Sequence, residues 1–402
     1  MNVQTGLSAR RAAFAGALAV TFFLPVVGHT QPAAAPVDPS LVDTIVITAD
    51  PFARTADQLV QPTEILAGEA LERRRGANLG ETLEQSLGVS SSDFGRGAGR
   101  PVIRGQAGPR VLVLENGISS MDASDVSADH DVSIDPAHAE QIEILKGPAT
   151  LIYGSSASAG VVNVVSQRLP TQVTPGLQAR LRGGLGDNAD ETRAAGSLAY
   201  GGGGTQVRID GAYLDADDYD IDGNSATDGS GSDGRLLNSA LEKTSGSVAI
   251  GQFGSRGSLA ANLSRYESTY GLPIEEEAFI DLEQDRLDLE GRLLQPFEGV
   301  DSIRLRYGRG DYEHTEFEAP GEPGTVFMNK QDEARLELVH APLAGFRGVI
   351  GVQHRDRDFQ AIGDEAFVPS TDSRGLGVFL IEERATGFGR SEFGLRSDRD
   401  EG

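Results

Sequence analysis

The 402-residue chain has no cysteine, no tryptophan, three methionines and six histidines. Without thiols it can build neither a disulfide framework nor a thiolate-held metal site, so any metal must be met by nitrogen and oxygen. Positive charge is also scarce. Lys and Arg number 35 against 60 Asp and Glu, a net charge of -25, which makes the chain a poor holder of nucleic-acid phosphates. Aromatics are only 6% of the residues, which argues against a site built for a large aromatic chelate. No constellation of nucleophile, base and orienter is present, so the sequence does not read as an enzyme. Glycine is in excess, 51 residues or about 13% against an average of roughly 7%, without a collagen-like triplet. That favours turns and close strand packing over long helices. Length alone would suggest two or three soluble domains.

The N-terminus changes that expectation. Arg10 and Arg11 precede the apolar run AAFAGALAVTFFLPVV at 12–27, and small residues follow at Gly28 and at Ala33, Ala34 and Ala35. This order predicts a secretory signal over 1–31, and the arginine pair resembles a twin-arginine signal. The run is broken by Pro25 and is shorter than the roughly 20 residues that a membrane anchor needs. Beyond it nothing approaches a spanning helix, which leaves a soluble exported protein or an outer-membrane barrel. Residues 32–50 form a Pro- and Ala-rich linker ending in DTIVITA, that is Asp43, Thr44, Ile45, Val46, Ile47, Thr48 and Ala49. Such a short β-prone segment can be an edge strand of its own domain or can add to the sheet edge of another protein.

Residues 51–170 predict a small α+β domain. Asn78 is an N-cap with Glu81 completing a capping box, Leu79, Leu83 and Leu87 follow at helical spacing, and Gly88 closes the helix. VLVL at 111–114 runs into Asn116 and Gly117, a hairpin signal. Further strands are expected at 142–145 and 161–165, around the Gly-rich segment KGPATLIYGSSASAG. Arg96, Arg100, Arg104 and Arg110 read either as substrate or gating residues or, the favoured reading, as structural charges seeking acidic partners.

The runs IEILKGPATLIYGSSASAGVVNVV and PVIRGQAGPRVLVLENG closely resemble the plug domain of TonB-dependent outer-membrane receptors, and DTIVITA resembles their TonB box. The resemblance covers most of the first 170 residues. It implies a plug inside a large β-barrel, uptake through the outer membrane, and a partner, TonB, that pairs with residues 43–49.

From 171 to 402 the pattern is period two. Leu177, Ala179 and Leu181 alternate with Gln178, Arg180 and Arg182; Val207 and Ile209 alternate with Arg208 and Asp210; Ile303, Leu305 and Tyr307 alternate with Arg304 and Arg306. The same alternation suits a half-buried sheet in water or a barrel wall in lipid. About ten strands are expected, near 177–186, 191–200, 205–216, 243–252, 257–270, 284–296, 300–317, 325–341, 346–359 and 374–388. A plugged barrel of about 22 strands needs roughly 220 strand residues before any loop, nearly all that lies between 171 and 402. The expected fold is therefore an α+β plug followed by antiparallel transmembrane strands of an incomplete barrel, and the chain, ending in GLRSDRDEG, reads as C-terminally truncated.

A finer resemblance is to the zinc-uptake branch of these receptors, carried by SADHDVSIDPAHAEQIEILKGPATLIYGS, YGLP from Tyr270, DLEGRLLQPFEG from Asp288, RGDYEHTEFE from Arg309 and ARLELVHAPL from Ala334. It implies metal ligands at Asp129 and His130 on the plug and at Glu316, with His314 beside it, on a barrel strand. Imidazole with carboxylate suits zinc and similar cations. The His-rich insert expected after YGLP is replaced by IEEEAFIDLEQDR. In the acidic segment 215–233, Asp218, Asp220 and Asp222 have the spacing that opens a calcium loop, but the twelfth position is Gly229, so a solvated loop competes with weak calcium binding. Three functions stand: metal import, led by zinc; siderophore or cobalamin uptake; and a non-transporting remnant that binds only TonB or metal.

Overall fold

The computed structural model describes residues 47–402 apart from 53, 60, 148, 276, 364, 365 and 388. The signal, most of the linker, and Asp43, Thr44, Ile45 and Val46 lie outside the described residues. The plug opens with β1 (Thr63–Ala67), α1 (Gly68–Arg74), α2 (Leu79–Leu83), β2 (Val89–Ser91) and β3 (Pro101–Ile103). It continues through β4 (Val111–Glu115), β5 (Ile118–Ser119), β6 (Ala139–Lys146), α3 (Thr150–Tyr153) and β7 (Gly160–Ser166). Five strands form a sheet in the order β1-β6-β7-β4-β5, in which only β4 and β7 run parallel.

The predicted hairpin is present, with Asn116 and Gly117 both at positive φ between β4 and β5, as its tight turn requires. The core is aliphatic. Ile142 and Ile144 of β6 and Val162 of β7 are fully buried with Leu71, Leu79 and Leu83, each such side chain contributing about 1.5–3 kcal/mol. The helix expected through Leu87 stops earlier. Asn78 caps α2 through a bond from the Glu81 N–H, but after Leu83 the chain turns and Leu87 is exposed. Lys146 at the end of β6 holds the Leu87 carbonyl, so the periodic leucine is a turn residue rather than a core one.

The wall follows as β8 (Gly176–Gly186), β9 (Glu191–Gly202), β10 (Thr205–Ala216), β11 (Asp220–Asn224), β12 (Asp233–Arg235), β13 (Leu241–Gly254) and β14 (Gly257–Gly271). It ends with β15 (Phe279–Leu294), β16 (Val300–Ala319), β17 (Glu322–Leu343), β18 (Phe346–Ile362), β19 (Thr371–Thr386) and β20 (Gly389–Glu401). Eleven of these form one antiparallel sheet running from β8 to β20 in chain order, and β11 with β12 makes a separate hairpin between β10 and β13. The sheet therefore holds one strand more than the ten expected. The one missed, β20, carries apolar residues on its exposed face only at Phe393 and Leu395 before continuing as Ser397 and Arg399, too few for a period-two signal. The supposed loop 215–233 likewise carries β11 and leads into its partner β12, and β15 begins at Phe279, five residues before the strand start expected near 284.

The polarity of the wall separates the two environments that alternation alone could not. Leu259 and Leu263 of β14 are 63% and 62% exposed, and Val248, Ile250, Leu305, Leu336 and Ile350 are exposed beside them. The alternate positions Asn262, Gln284, Asn329, Gln331 and Arg335 are buried, facing the plug. Apolar outside and polar inside is the pattern of a wall bathed in lipid. Strands of 20 residues in β16 and 22 in β17 exceed the 9–11 needed to cross a bilayer. Beyond the apolar band the outer face of the neighbouring strands is charged, where Arg265 of β14 joins Glu267 of the same strand and Glu283 and Asp285 of β15.

The plug is fastened to the wall at many points. Arg54 reaches Glu383 and Glu392, and Arg96 meets Glu191. Arg335 lies between the rings of Tyr153 and Phe379 and donates to the Ile152 carbonyl. Wall glycines admit the plug closely: a Cβ at Gly308 would stand 2.7 Å from Ile118 and Met121, and one at Gly310 would stand 2.9 Å from Met121.

Candidate metal centre

The plug loop joining β5 to β6 carries His130 toward the wall, and its shape is set by its own polar groups. The Asp122 carboxylate accepts from Ser124 N, Ser124 Oγ and Ser133 N. Tyr270 of β14 receives the Asp131 N–H and donates to the Asp129 carbonyl, pinning the backbone on both sides of His130. Asp131 itself is buried, with Lys243 at 2.6 Å and Tyr266 at 2.9 Å on the same carboxylate oxygen.

On the wall, period two places Tyr312, His314 and Glu316 of β16 on the face toward the plug. There they meet His130. Its Nε2 lies 2.9 Å from Glu316 Oε1, and His314 Nε2 lies 3.6 Å from the same oxygen. One donor atom from each of His130, His314 and Glu316 falls within 4.8 Å of the others, the one such convergent group among the described residues. His314 Nε2 and Glu316 Oε2 are buried and have no hydrogen-bond partner. Unmet polar atoms in a closed site are costly, about 1–3 kcal/mol each, and mark donors available to a ligand.

The surroundings are aromatic. The Phe327 ring stacks on His314 with centroids 4.7 Å apart and meets His130 edge-on at 4.9 Å. The two imidazoles themselves are 4.3 Å apart. Burial works to lower the His130 pKa, but the hydrogen bond to Glu316, the charge of Asp129 and the Ala123 carbonyl outweigh it, and the group sits above the ordinary imidazole value. Two imidazole nitrogens and a carboxylate form the donor set of a borderline divalent cation.

The remaining sequence candidates fall elsewhere. Asp129 is adjacent, but its carboxylate accepts from Ser127 Oγ and is not part of the convergent group. Asp218 accepts from the N–H groups of Ser239 and Ala240, while Asp220 and Asp222 are exposed along β11. Of the described part of DTIVITA, Ile47 and Ala49 are buried against the plug. Glu143 accepts from Thr48 N, Thr48 Oγ1 and Ala49 N at 2.6, 2.9 and 2.9 Å, and Tyr153 donates to the Ala49 carbonyl. Among the four plug arginines, Arg96 finds an acidic partner, buried Arg100 instead donates to Ser124 and to the carbonyls of Gly108 and Val111, and Arg104 and Arg110 are exposed. Tyr312 and Phe327 carry no site signal of their own in the sequence, and Tyr270 stands there only as the start of YGLP. The only signal was the spacing of Tyr312 two residues before His314.

Comparison with known proteins finds a family model over the inner domain. Residues 55–161 match the TonB-dependent Receptor Plug Domain. Solved structures extend the likeness to the wall. A structure titled copper transporter OprC superposes with a TM-score of 0.68 at 19% identity, covering 84% of this chain and 55% of that one. The FrpB iron transporter from Neisseria meningitidis (F3-3 variant) gives 0.69 at 14% identity, over 85% and 59%. The siderophore receptor PirA from Pseudomonas aeruginosa gives 0.58 at 17%, over 84% and 56%. At these identities the likeness establishes the shared fold, a plug domain followed by a large antiparallel sheet. The chain spans between 55% and 59% of the length of these three structures.

Proposed function

We propose that the chain serves an outer-membrane, TonB-coupled importer of a divalent metal ion, with zinc the favoured cargo. The observation that carries this is the meeting of His130 from the plug with His314 and Glu316 from the wall, two of whose polar atoms are otherwise unmet. The donors contain no sulfur, which disfavours Cu(I) relative to zinc. The three groups are enclosed by aromatic rings, which suits a stripped ion better than a bulky chelate.

Because the donors are divided between plug and wall, displacing the plug takes the site apart and frees the ion. Energy for that displacement would come through residues 43–49, adding as a strand to TonB. The Glu143 and Tyr153 contacts of Thr48 and Ala49 must open for the segment to be handed over. Zinc chloride titration of the full chain in detergent tests the proposal. One site per chain is expected, weakened at least tenfold in each of His130→Ala, His314→Ala and Glu316→Ala. Equal affinity in all four proteins would remove the zinc assignment.

A further inference from the structure

Each imidazole of the centre is held at Nδ1 by a different kind of neighbour. His130 Nδ1 faces the Ala123 carbonyl at 3.1 Å. A carbonyl only accepts, so that nitrogen keeps its hydrogen whatever happens at Nε2. His314 Nδ1 faces the Tyr312 hydroxyl at 2.7 Å, and a hydroxyl can give or take. Tyr312 is fully buried two positions before His314 on the same face of β16.

We propose that Tyr312 is a positioning residue for His314, moving the ring between the tautomer suited to the empty centre and the one that can bind metal. This rests on the metal-binding reading above. In the empty centre the Tyr312 O–H donates to Nδ1, and the single ring hydrogen sits on Nε2, directed toward Glu316 Oε1 at 3.6 Å. When a metal arrives, Nε2 must offer a lone pair. Nε2 gives its hydrogen to Glu316 Oε1 as Nδ1 takes the Tyr312 hydrogen, and when the metal displaces the hydrogen from Glu316 one hydrogen returns to the phenolic oxygen, which then accepts from Nδ1–H. Tyr312 and His314 hold the same number of hydrogens before and after the exchange, so neither carries a new charge at its end.

The ring cannot reach the same result by flipping. Phe327 lies against it, nearly parallel at 16°, and the His130 ring stands 4.3 Å away at 64°, so a half-turn of His314 would sweep through both. With the ring fixed in place, the hydrogen has to move, and an amphoteric neighbour is what permits it. A carbonyl at this position would lock one tautomer, and a carboxylate would add a second negative charge.

The experiment uses the full chain in detergent micelles with zinc chloride as probe, comparing wild type, Tyr312→Phe, His314→Ala and the double variant, together with 15N spectra of histidine-labelled, metal-free protein. Tyr312→Phe should keep its melting temperature and weaken zinc binding by about 10–100-fold, the range for lost outer partners of a ligating histidine. The double variant should be no weaker than His314→Ala, because Tyr312 acts only through that ring. Metal-free wild type should show His314 with its hydrogen on Nε2, and Tyr312→Phe should lose that bias. Wild-type affinity in Tyr312→Phe, additive losses in the double variant, or an Nδ1–H tautomer in metal-free wild type would each overturn the proposal. If wild type binds no zinc, the metal reading falls, and the 15N spectra still decide whether Tyr312 governs the ring.

Discussion

His130 on the plug and Glu316 on the wall are joined by a 2.9 Å contact between Nε2 and Oε1. The other ring nitrogen of His130 faces a carbonyl, so both of its neighbours are acceptors and the empty ring is best satisfied as an imidazolium. A proton therefore stands where a metal would bind. The His130 pKa is raised, and metal requires the neutral ring. Zinc affinity should fall about tenfold per pH unit below that raised value and level off above it. Competition titrations from about pH 5 to pH 8 would show the break, and Glu316→Gln should move it to lower pH. A flat profile across that range would contradict the protonated bridge.

Gly310 tests how strictly the plug must seat. Its missing side chain leaves space for Met121, in the loop that carries His130. Gly310→Val should overpack this contact by about 1–3 kcal/mol and push the loop inward. We expect zinc affinity to drop by tenfold or more although no ligand is altered, with wall folding in micelles preserved. Unchanged affinity would show that the loop yields without moving His130.

The exposed face of β14 offers a test of the lipid environment. In an aqueous sheet, Leu259→Arg would be nearly neutral, whereas in a bilayer it should cost about 2–4 kcal/mol near the midplane. Folding yield into lipid vesicles, compared with Leu259→Ala, separates the two cases. Arg265→Leu, in the charged zone beyond the apolar band, should fold as well as wild type.

Glu143 provides a fourth handle. Its buried carboxylate also receives Asn163 and Gln141, so five donors converge on it without a cation. Glu143→Ala strands the Thr48 and Ala49 N–H groups and should release them. Because the chain has no cysteine, a single Thr48→Cys label reports cleanly. Its thiol should react at least tenfold faster in the Glu143→Ala background, since bonds to a charged acceptor are worth about 1.5–3 kcal/mol each. Equal labelling rates would exclude Glu143 as the group that holds the segment.

What the sequence disclosed depended on how local the signal was. The Asn116-Gly117 hairpin, the Asn78 cap and the strand alternation are written within a few residues, and each is present. Leu87 misled because helical spacing continues past the point where Lys146, 59 residues away, captures its carbonyl. β20 was missed because charged residues outnumber apolar ones along it. Within the centre, His130, His314 and Glu316 could be named from their chemistry and the family resemblance, but their meeting spans a sequence separation of 186 residues between His130 and Glu316. Tyr312 and Phe327 are ordinary barrel residues until the register of β16 and β17 sets them against the imidazoles.

The division of the donors between plug and wall also has a thermodynamic consequence. A ligand that binds only the seated arrangement favours that arrangement by mass action, by about 2.7 kcal/mol when its free concentration is a hundred times its dissociation constant. External metal would thus act as an adhesive between plug and wall, and the force needed to unseat the plug would rise with supply.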